Sequence, residues 1–393
     1  MGAISGDLPR LDAAAAPGGL IRPARIDSVD LLRGAVMVIM ALDHSRDFFT
    51  NVPYDPTDLA HVTPALFFTR WITHFCAPVF MLLAGTGARL SLRRGKSKRE
   101  LSWFLLTRGL FLVVADETVM MFLWGSRPPG FPIIGATLWG LGWSMVVLAA
   151  VIHLPDAAIA AFGCALVLFH NAFDGLGNGT LLGTFLHAGF YPAGQRPALW
   201  VGYSLVPWAG VMALGYVGAR VLEWDAARRR KALLATGAAM CAAFVLLRWS
   251  NLYGDAVKWT PDHPLMSFFN CSKYPPSLLY LFMTLGPAIF ALAFLEKVRG
   301  AAAAAVLIYG RVPMFFYFAH IALLHWAAIA VSALAHKPVP WAASFMAPML
   351  PDQGWGLPVV YLGWILAVAA LYAPCRWYMD LKRRSDFWLL GYV

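Results

Sequence analysis

Long apolar runs, interrupted by short polar connections, account for most of this chain. Ten of them could cross roughly 30 Å of hydrocarbon as helices. They cover residues 29–48, 66–89, 101–124, 133–153, 155–171, 199–222, 231–248, 275–296, 303–334 and 357–376. The fifth is the shortest. The ninth is too long for one straight crossing, and Gly310-Arg311-Val312-Pro313 is its natural break. In the second, Pro78 predicts a bend and a freed carbonyl, while Gly85 and Gly87 predict close approach by another helix. The pattern predicts an all-α fold: a polytopic transmembrane helix bundle of about ten spans. No internal repeat is visible, so an inverted-repeat transporter architecture is not indicated.

Composition agrees with this reading. The chain has 393 residues, 60% hydrophobic and only 13% charged, where a soluble domain would be about one-quarter charged. The net charge of +10 does not indicate nucleic acid, because the basic residues fall in short clusters between apolar runs. Those clusters are Arg10 to Arg25, Arg89 to Arg99, Arg220 to Lys231, Lys297 with Arg299, and Arg376 to Arg384. All lie on one side if both termini are cytosolic. The opposite connections carry few, among them Arg127, Arg196, Lys258 and Lys273. The longer connections, 172–198, 249–274 and 335–356, are then external. Residues 1–25 lack the apolar core of a signal peptide and read as a disordered cytosolic tail. Residues 26–393 read as one transmembrane domain. Gly6 stands where a myristoylation signal has Ser or Thr. The five cysteines show neither a disulfide framework nor zinc spacing.

The polar residues inside the apolar runs are the candidates for chemistry, because ionisable groups at membrane depth need a protein interior or a wet cavity. In the first span, VDLLRGAVMVIMALDH, Arg33 and His44 are eleven residues apart. They lie within about 20° of one helix face and roughly 16 Å apart along the axis. Arg33, Arg108 and Arg311 form an inner arginine layer in this topology. His44, Arg70, His74, Asp116, Glu117, His320 and His325 form an outer one. An arginine near a helix end can simply snorkel to headgroups, but Arg33 and Arg311 also sit beside a helix end or break, where anions bind. An Asp-His pair such as Asp43-His44 has few structural uses at this depth. His320 and His325, five apart, do not share a face, so one is expected to look inward. His61 lies in the first external connection. No His-x-x-His or His-x-x-x-His spacing occurs, so no metal is predicted. Phosphate-binding glycine loops and a Gly-x-Ser-x-Gly elbow are absent.

The segment RIDSVDLLRGAVMVIMALDHSRDFF resembles the opening of the bacterial family related to the catalytic domain of heparan-α-glucosaminide N-acetyltransferase. FFTRWITHFCAPVFMLLAGT, NLYGDAVKW, KYPPSLLYLFMTLGPA, YGRVPMFFYFAHIALLH and RWYMDLKRRS extend the resemblance from Arg25 to near the C-terminus. That family belongs to a wider group of transmembrane acyltransferases, and in the branch that modifies surface polysaccharides an arginine and a histidine at about the Arg33–His44 spacing recur in the first span. The lysosomal enzyme has asparagine at the position of His44. Its catalytic histidine lies in the segment leading to the second span, where this chain has His61. The resemblance implies an acyl-CoA-dependent membrane acyltransferase and leaves His44 and His61 both open as the base.

The reading is therefore an integral enzyme of the cell (inner) membrane. It takes an acyl group, acetyl by the resemblance, from cytosolic acyl-CoA to a hydroxyl or amine on an external glycan or small molecule. Arg33, Arg108 and Arg311 would bind the donor. His44, oriented by Asp43 or Asp47, would act as general base or transient acyl carrier. Arg70, His74, Lys273 and His320 would line the acceptor side. The lipid bilayer, acyl-CoA and the acceptor are the partners, and a homodimer is one assembly the sequence allows. The alternative is a proton-coupled transporter that uses the outer His, Asp and Glu residues as a relay. Acyl-CoA binding without coupled solute flux would separate the two.

Overall fold

The run richest in ionisable residues is also the most enclosed. Helix α1, Asp27–Phe49, is buried on every side. It packs against α2 (Pro64–Thr73), α3 (Cys76–Arg93), α12 (Leu278–Leu295), α13 (Ala301–Arg311), α14 (Pro313–Leu334) and α15 (Leu357–Arg384). The computed structural model describes residues 26–125, 133–177, 179–187, 189–191, 198–338, 350–385 and 387–392. The tail 1–25, Arg127 and Arg196 lie outside them.

A second group of helices completes the bundle: α4 (Lys98–Ala115), α6 (Thr137–Val151), α7 (Asp156–Phe169), α9 (Leu205–Gly218) and α10 (Ala226–Ser250). A π-helical turn, Asp116–Met120, and a short α5, Met121–Leu123, extend α4. Each of the ten apolar runs thus contains a helix. Among the described residues, seven stretches are long and apolar enough to cross a membrane, including Pro64–Arg93, Leu278–Leu295 and Pro313–Leu334. The α1 and α4 stretches carry charges, and α6 and α13 are short on their own. The protein is an all-α polytopic membrane protein.

Local chemistry sets the helix ends. Ser97 accepts from the Glu100 amide (3.2 Å) while the Ser97 amide donates to the Glu100 carboxylate (2.7 Å), a reciprocal cap for α4. Thr63 and Ser277 cap α2 and α12. The ninth run breaks where its sequence predicts, with α13 ending at Arg311 and Pro313 opening α14. Arg33 of α1 donates to the carbonyl of Gly310 at that break (3.0 Å). The two helices touch there through glycines. A Cβ on Gly34 would strike the Val306 carbonyl, and one on Gly310 the Asp30 carbonyl.

The second run divides between Thr73 and Cys76. Pro78 has no N–H to give the His74 carbonyl, and the Tyr280 hydroxyl supplies the bond instead (2.8 Å). Gly85 packs on the Met212 carbonyl as expected. Gly87 does not mark a helix contact: a Cβ there would meet nothing within 4 Å, and the residue faces a cavity.

One local feature departs from the all-helical expectation. The fourth and sixth runs begin as strands, β1 (Ile133–Gly135) and β3 (Leu199–Val201), before α6 and α9 start. Strand β2 (Gly189–Tyr191) follows a short α8 (Leu181–His187). β3 lies between β1, parallel with Ile134 opposite Trp200, and β2, antiparallel with Phe190 opposite Trp200. Apolar composition cannot separate such short strands from a helix start, and pairing satisfies their backbone groups either way.

The connection from α10 to α12, with a short α11 (Pro264–Phe269), is held by two buried groups. The Arg248 guanidinium, fully buried, donates to the carbonyls of Phe268 (3.0 Å), Val257 (2.5 Å), Ser267 (2.6 Å) and Asn270 (2.7 Å). Asp255 accepts from Val257 N (2.8 Å), Ser272 N (3.1 Å) and Ser277 Oγ (2.6 Å). Burial pushes the Asp255 carboxyl above its ordinary pKa despite these donors. Together they fix the Lys273-Tyr274-Pro275-Pro276-Ser277 segment at the rim of the bundle.

Candidate active site

Two cavities lie along α1. The one at its N-terminal end, about 440 Å³, is lined by Arg33, Arg94, Lys96 and Arg108. Its deeper wall is apolar, with Met37, Met40, Leu83, Leu105, Met145 and Met314. The other, about 420 Å³, lies at the far end of α1 and takes in Asp43, His44, Arg70, Lys273, Trp124 and Trp200. Thr137, in the first turn of α6, and Tyr317, in the second turn of α14, line both. The basic and histidine cavities therefore border each other at these two residues.

His44 is held by a histidine. Its Nδ1 lies 2.7 Å from His320 Nε2, and His320 Nδ1 lies 2.7 Å from the Phe316 carbonyl. A carbonyl can only accept, so His320 carries its proton on Nδ1. In neutral His320, Nε2 is then an acceptor. His44 must donate from Nδ1, which leaves a lone pair on His44 Nε2. A backbone oxygen of α14 thus sets the tautomer of a histidine on α1 through one relay. The two rings stack at 5.0 Å, and Trp124 and Tyr317 meet the His44 ring edge-on at 5.2 and 6.1 Å.

The expected orienting role of Asp43 or Asp47 is not what the geometry provides. Asp43 accepts from Arg46 (3.0 Å) and Arg70 (2.5 Å), and Asp47 accepts from Arg46 (2.6 Å). Both carboxylates are taken up by guanidiniums, a chain that ties α2 to α1. The acids balance Arg46 and Arg70 at a depth where an unpaired charge would be costly. His320 supplies the orientation instead, so it lies behind His44 rather than in the cavity lining.

The other sequence candidates separate cleanly. Arg33 and Arg108 line the basic cavity; Arg33 also pairs with Asp30 (2.8 Å) and Arg108 donates to the Gly391 carbonyl (2.8 Å). Arg311 does not join them. It is bonded to Asp27 (3.0 Å) and near Asp30 (3.8 Å), locking the start of α1 to the helix break. Arg70 and Lys273 reach the histidine cavity. His74 does not, because α2 ends at Thr73; it packs on the Tyr280 ring at 5.3 Å. His325 donates to the Leu123 carbonyl (2.7 Å) and stacks on Phe48 (5.1 Å). Both late histidines are buried, but only His320 meets His44. Asp116 caps α6, accepting from Ala136 N (3.0 Å) and Trp139 N (3.1 Å) across the π-helical turn. His61 is 65% exposed in its side chain and pairs with Asp58 (2.7 Å), whose carboxyl that bond holds below its ordinary pKa.

Several lining residues escaped the sequence reading. Arg94 and Lys96 were visible only as members of a basic cluster that sets orientation. Tyr317 sits in the string Phe315-Phe316-Tyr317-Phe318, the one hydroxyl-bearing ring among phenylalanines, and that contrast was a usable signal. Trp200 needed the sheet pairing to be placed.

The sequence model of a family described as heparan-alpha-glucosaminide N-acetyltransferase, catalytic, matches residues 25–252. The matched stretch holds α1 to α10, with His44 and the four basic-cavity cations, and ends before Lys273, Tyr317 and His320. No curated protein matches the chain.

Proposed function

The chain belongs to the heparan-α-glucosaminide N-acetyltransferase catalytic family, a family of membrane acetyltransferases, and on that footing we propose that acyl-CoA binds in the basic cavity and gives its acyl group to an acceptor held in the histidine cavity. The meeting of the two cavities at Thr137 and Tyr317 carries this reading. Arg33, Arg94, Lys96 and Arg108 suit the phosphates of coenzyme A. Arg108 Nε is a buried donor without a partner among the described residues. The apolar wall beyond suits the pantetheine arm. Arg33 and His44 are roughly 16 Å apart along the helix axis, so phosphates at one end and a thioester near the other fit one extended donor.

His44 Nε2 takes the proton of the acceptor hydroxyl or amine as that group attacks the thioester carbonyl. A thioester is already activated, so positioning and one base suffice. Trp124, Trp200, Tyr203 and Tyr274 offer flat apolar faces, and Arg46, Arg70, Lys273 and the carboxylates offer polar edges. That mixture suits a sugar-like acceptor. The basic end faces the cytosol of the cell membrane, and the acceptor side faces out.

Donor binding tests the reading. Arg33→Leu should weaken acetyl-CoA by about 10- to 100-fold, the size of one lost charge-assisted hydrogen bond. Dephospho-coenzyme A should bind less well than coenzyme A to the wild type. Equal calorimetric affinities for wild type and Arg33→Leu would remove Arg33 from the donor site. Orientation has its own check. A cysteine replacing Ser97, which is exposed at the basic end, should resist an impermeant maleimide in intact cells and react in inverted vesicles. Strong labelling from outside would reverse the assigned direction of transfer.

A further inference from the structure

We propose that Tyr317 is a further catalytic residue, whose phenol donates a hydrogen bond to the acyl carbonyl oxygen as negative charge builds on it. This rests on the acyl-transfer reading above and adds the group that stabilises the oxyanion. The observation behind it is the placement of one hydroxyl. A donor that enters the basic cavity and reacts at His44 must bring its thioester to the junction of the cavities, and Tyr317 lines both sides of that junction. Its ring lies 6.1 Å from the His44 ring and 5.7 Å from that of His320, centroid to centroid. The base and the phenol therefore border the same small space.

Packing does not call for a hydroxyl here. Phe315 stacks on Tyr378 at 4.4 Å and Phe316 on His320 at 5.0 Å, both as bare rings. A phenylalanine at 317 would fill the same volume without the burden of a buried polar group. The Thr137 hydroxyl is the neighbour of both the Tyr317 and the Tyr203 phenols. Without substrate the Tyr317 phenol has this neutral hydroxyl for a neighbour. With substrate it has a stronger one, because an oxyanion accepts better than a neutral hydroxyl. Such preorganised donors in a water-poor site act on the transition state more than on the ground state.

The step balances as follows. The acceptor O–H or N–H gives its proton to His44 Nε2 while its oxygen or nitrogen bonds to the thioester carbon. The carbonyl π electrons move onto oxygen, which takes the Tyr317 hydrogen bond. Collapse restores the C=O bond and breaks the C–S bond. The sulfur leaves with the electron pair and takes the proton from His44, giving free coenzyme A and acylated acceptor.

Tyr317→Phe is the test, with acetyl-CoA as donor and both glucosamine and water as acceptor probes. Release of coenzyme A thiol should fall roughly 10²-fold in kcat. KM and the calorimetric affinity for acetyl-CoA should stay near wild type. Thr137→Val, which leaves the phenol in place and removes the neighbouring hydroxyl, should cost far less. If wild type releases no thiol, the acyl-transfer reading fails and takes this one with it. If wild type is active and Tyr317→Phe keeps its kcat, or raises KM alone, the phenol only shapes the passage and this inference is overturned. Loss in Tyr317→Phe matched by equal loss in Thr137→Val would also overturn it, since the junction as a whole would then be responsible.

Discussion

His44→Ala is expected to lower acyl transfer by roughly 10²–10⁴-fold, the usual contribution of a general base, while donor affinity stays close to wild type. The separation follows from distance. The basic cavity is built from Arg33, Arg94, Lys96 and Arg108, none of which bonds to His44 or His320. Losing the imidazole empties a space between Trp124, Tyr317 and His320 and leaves the cations where they are. His61→Ala, by contrast, should turn over nearly as wild type does. That ring is largely exposed, bonded to Asp58 and leaning on Tyr54 at 5.6 Å, and it does not line either cavity. Thiol release and acetyl-CoA binding, measured for both variants, decide between the two histidines. An inactive His61→Ala beside an active His44→Ala would move the base to the loop and leave the His44–His320 pair a structural device.

Arg248→Leu should cost about 3–5 kcal/mol of stability, the penalty of breaking a buried charged hydrogen-bond centre. Four carbonyls between Val257 and Asn270 lose their donor at once. Lysine should not rescue, because one ammonium cannot reach four acceptors spread around a planar fork. Asp255, which shares this segment, would lose its nearby cation and loosen its grip on Ser272 and Ser277. Lys273 and Tyr274 would then drift from the histidine cavity. The check is a thermal melt in detergent with limited proteolysis between residues 249 and 274. A melt matching wild type would mean that the four contacts contribute little, and that the loop stands on its apolar packing.

The two cases differ in how far the sequence revealed them. The polar stripe of the first span, the cations Arg33 and Arg108, and the break at Gly310 to Pro313 are all legible in the sequence. Periodicity and hydropathy are local, and a charge in an apolar run is conspicuous. Arg248 was not legible as an organiser, since a basic residue at the end of an apolar run ordinarily reads as a membrane anchor. The misassignment of Arg311 has the same root. A cation beside a helix break suits an anion, but Asp27 and Asp30, in the first turn of α1, arrive first. The expected Asp43–His44 pairing failed because adjacent helical residues diverge by about 100° and do not face each other.

By itself, then, the amino-acid sequence determined a membrane bundle, which segments are helical, where one of them breaks, and which helix carries the ionisable stripe. These follow from hydropathy and from rules that act over a few residues. Only the tertiary structure decided the partners. His44 and His320 are 276 residues apart in the chain, and whether they touch depends on how α1 and α14 are rotated about their axes. Helix rotation is set across the bundle by close contacts, such as Gly34 of α1 on Val306 of α13 and Gly85 of α3 on Met212 of α9. It brings Tyr317 to the junction of the cavities, turns Arg70 toward Asp43, and leaves Arg311 and His74 outside. Apolar periodicity gives a helix a buried side, but it takes the packed neighbours to say which residue stands opposite.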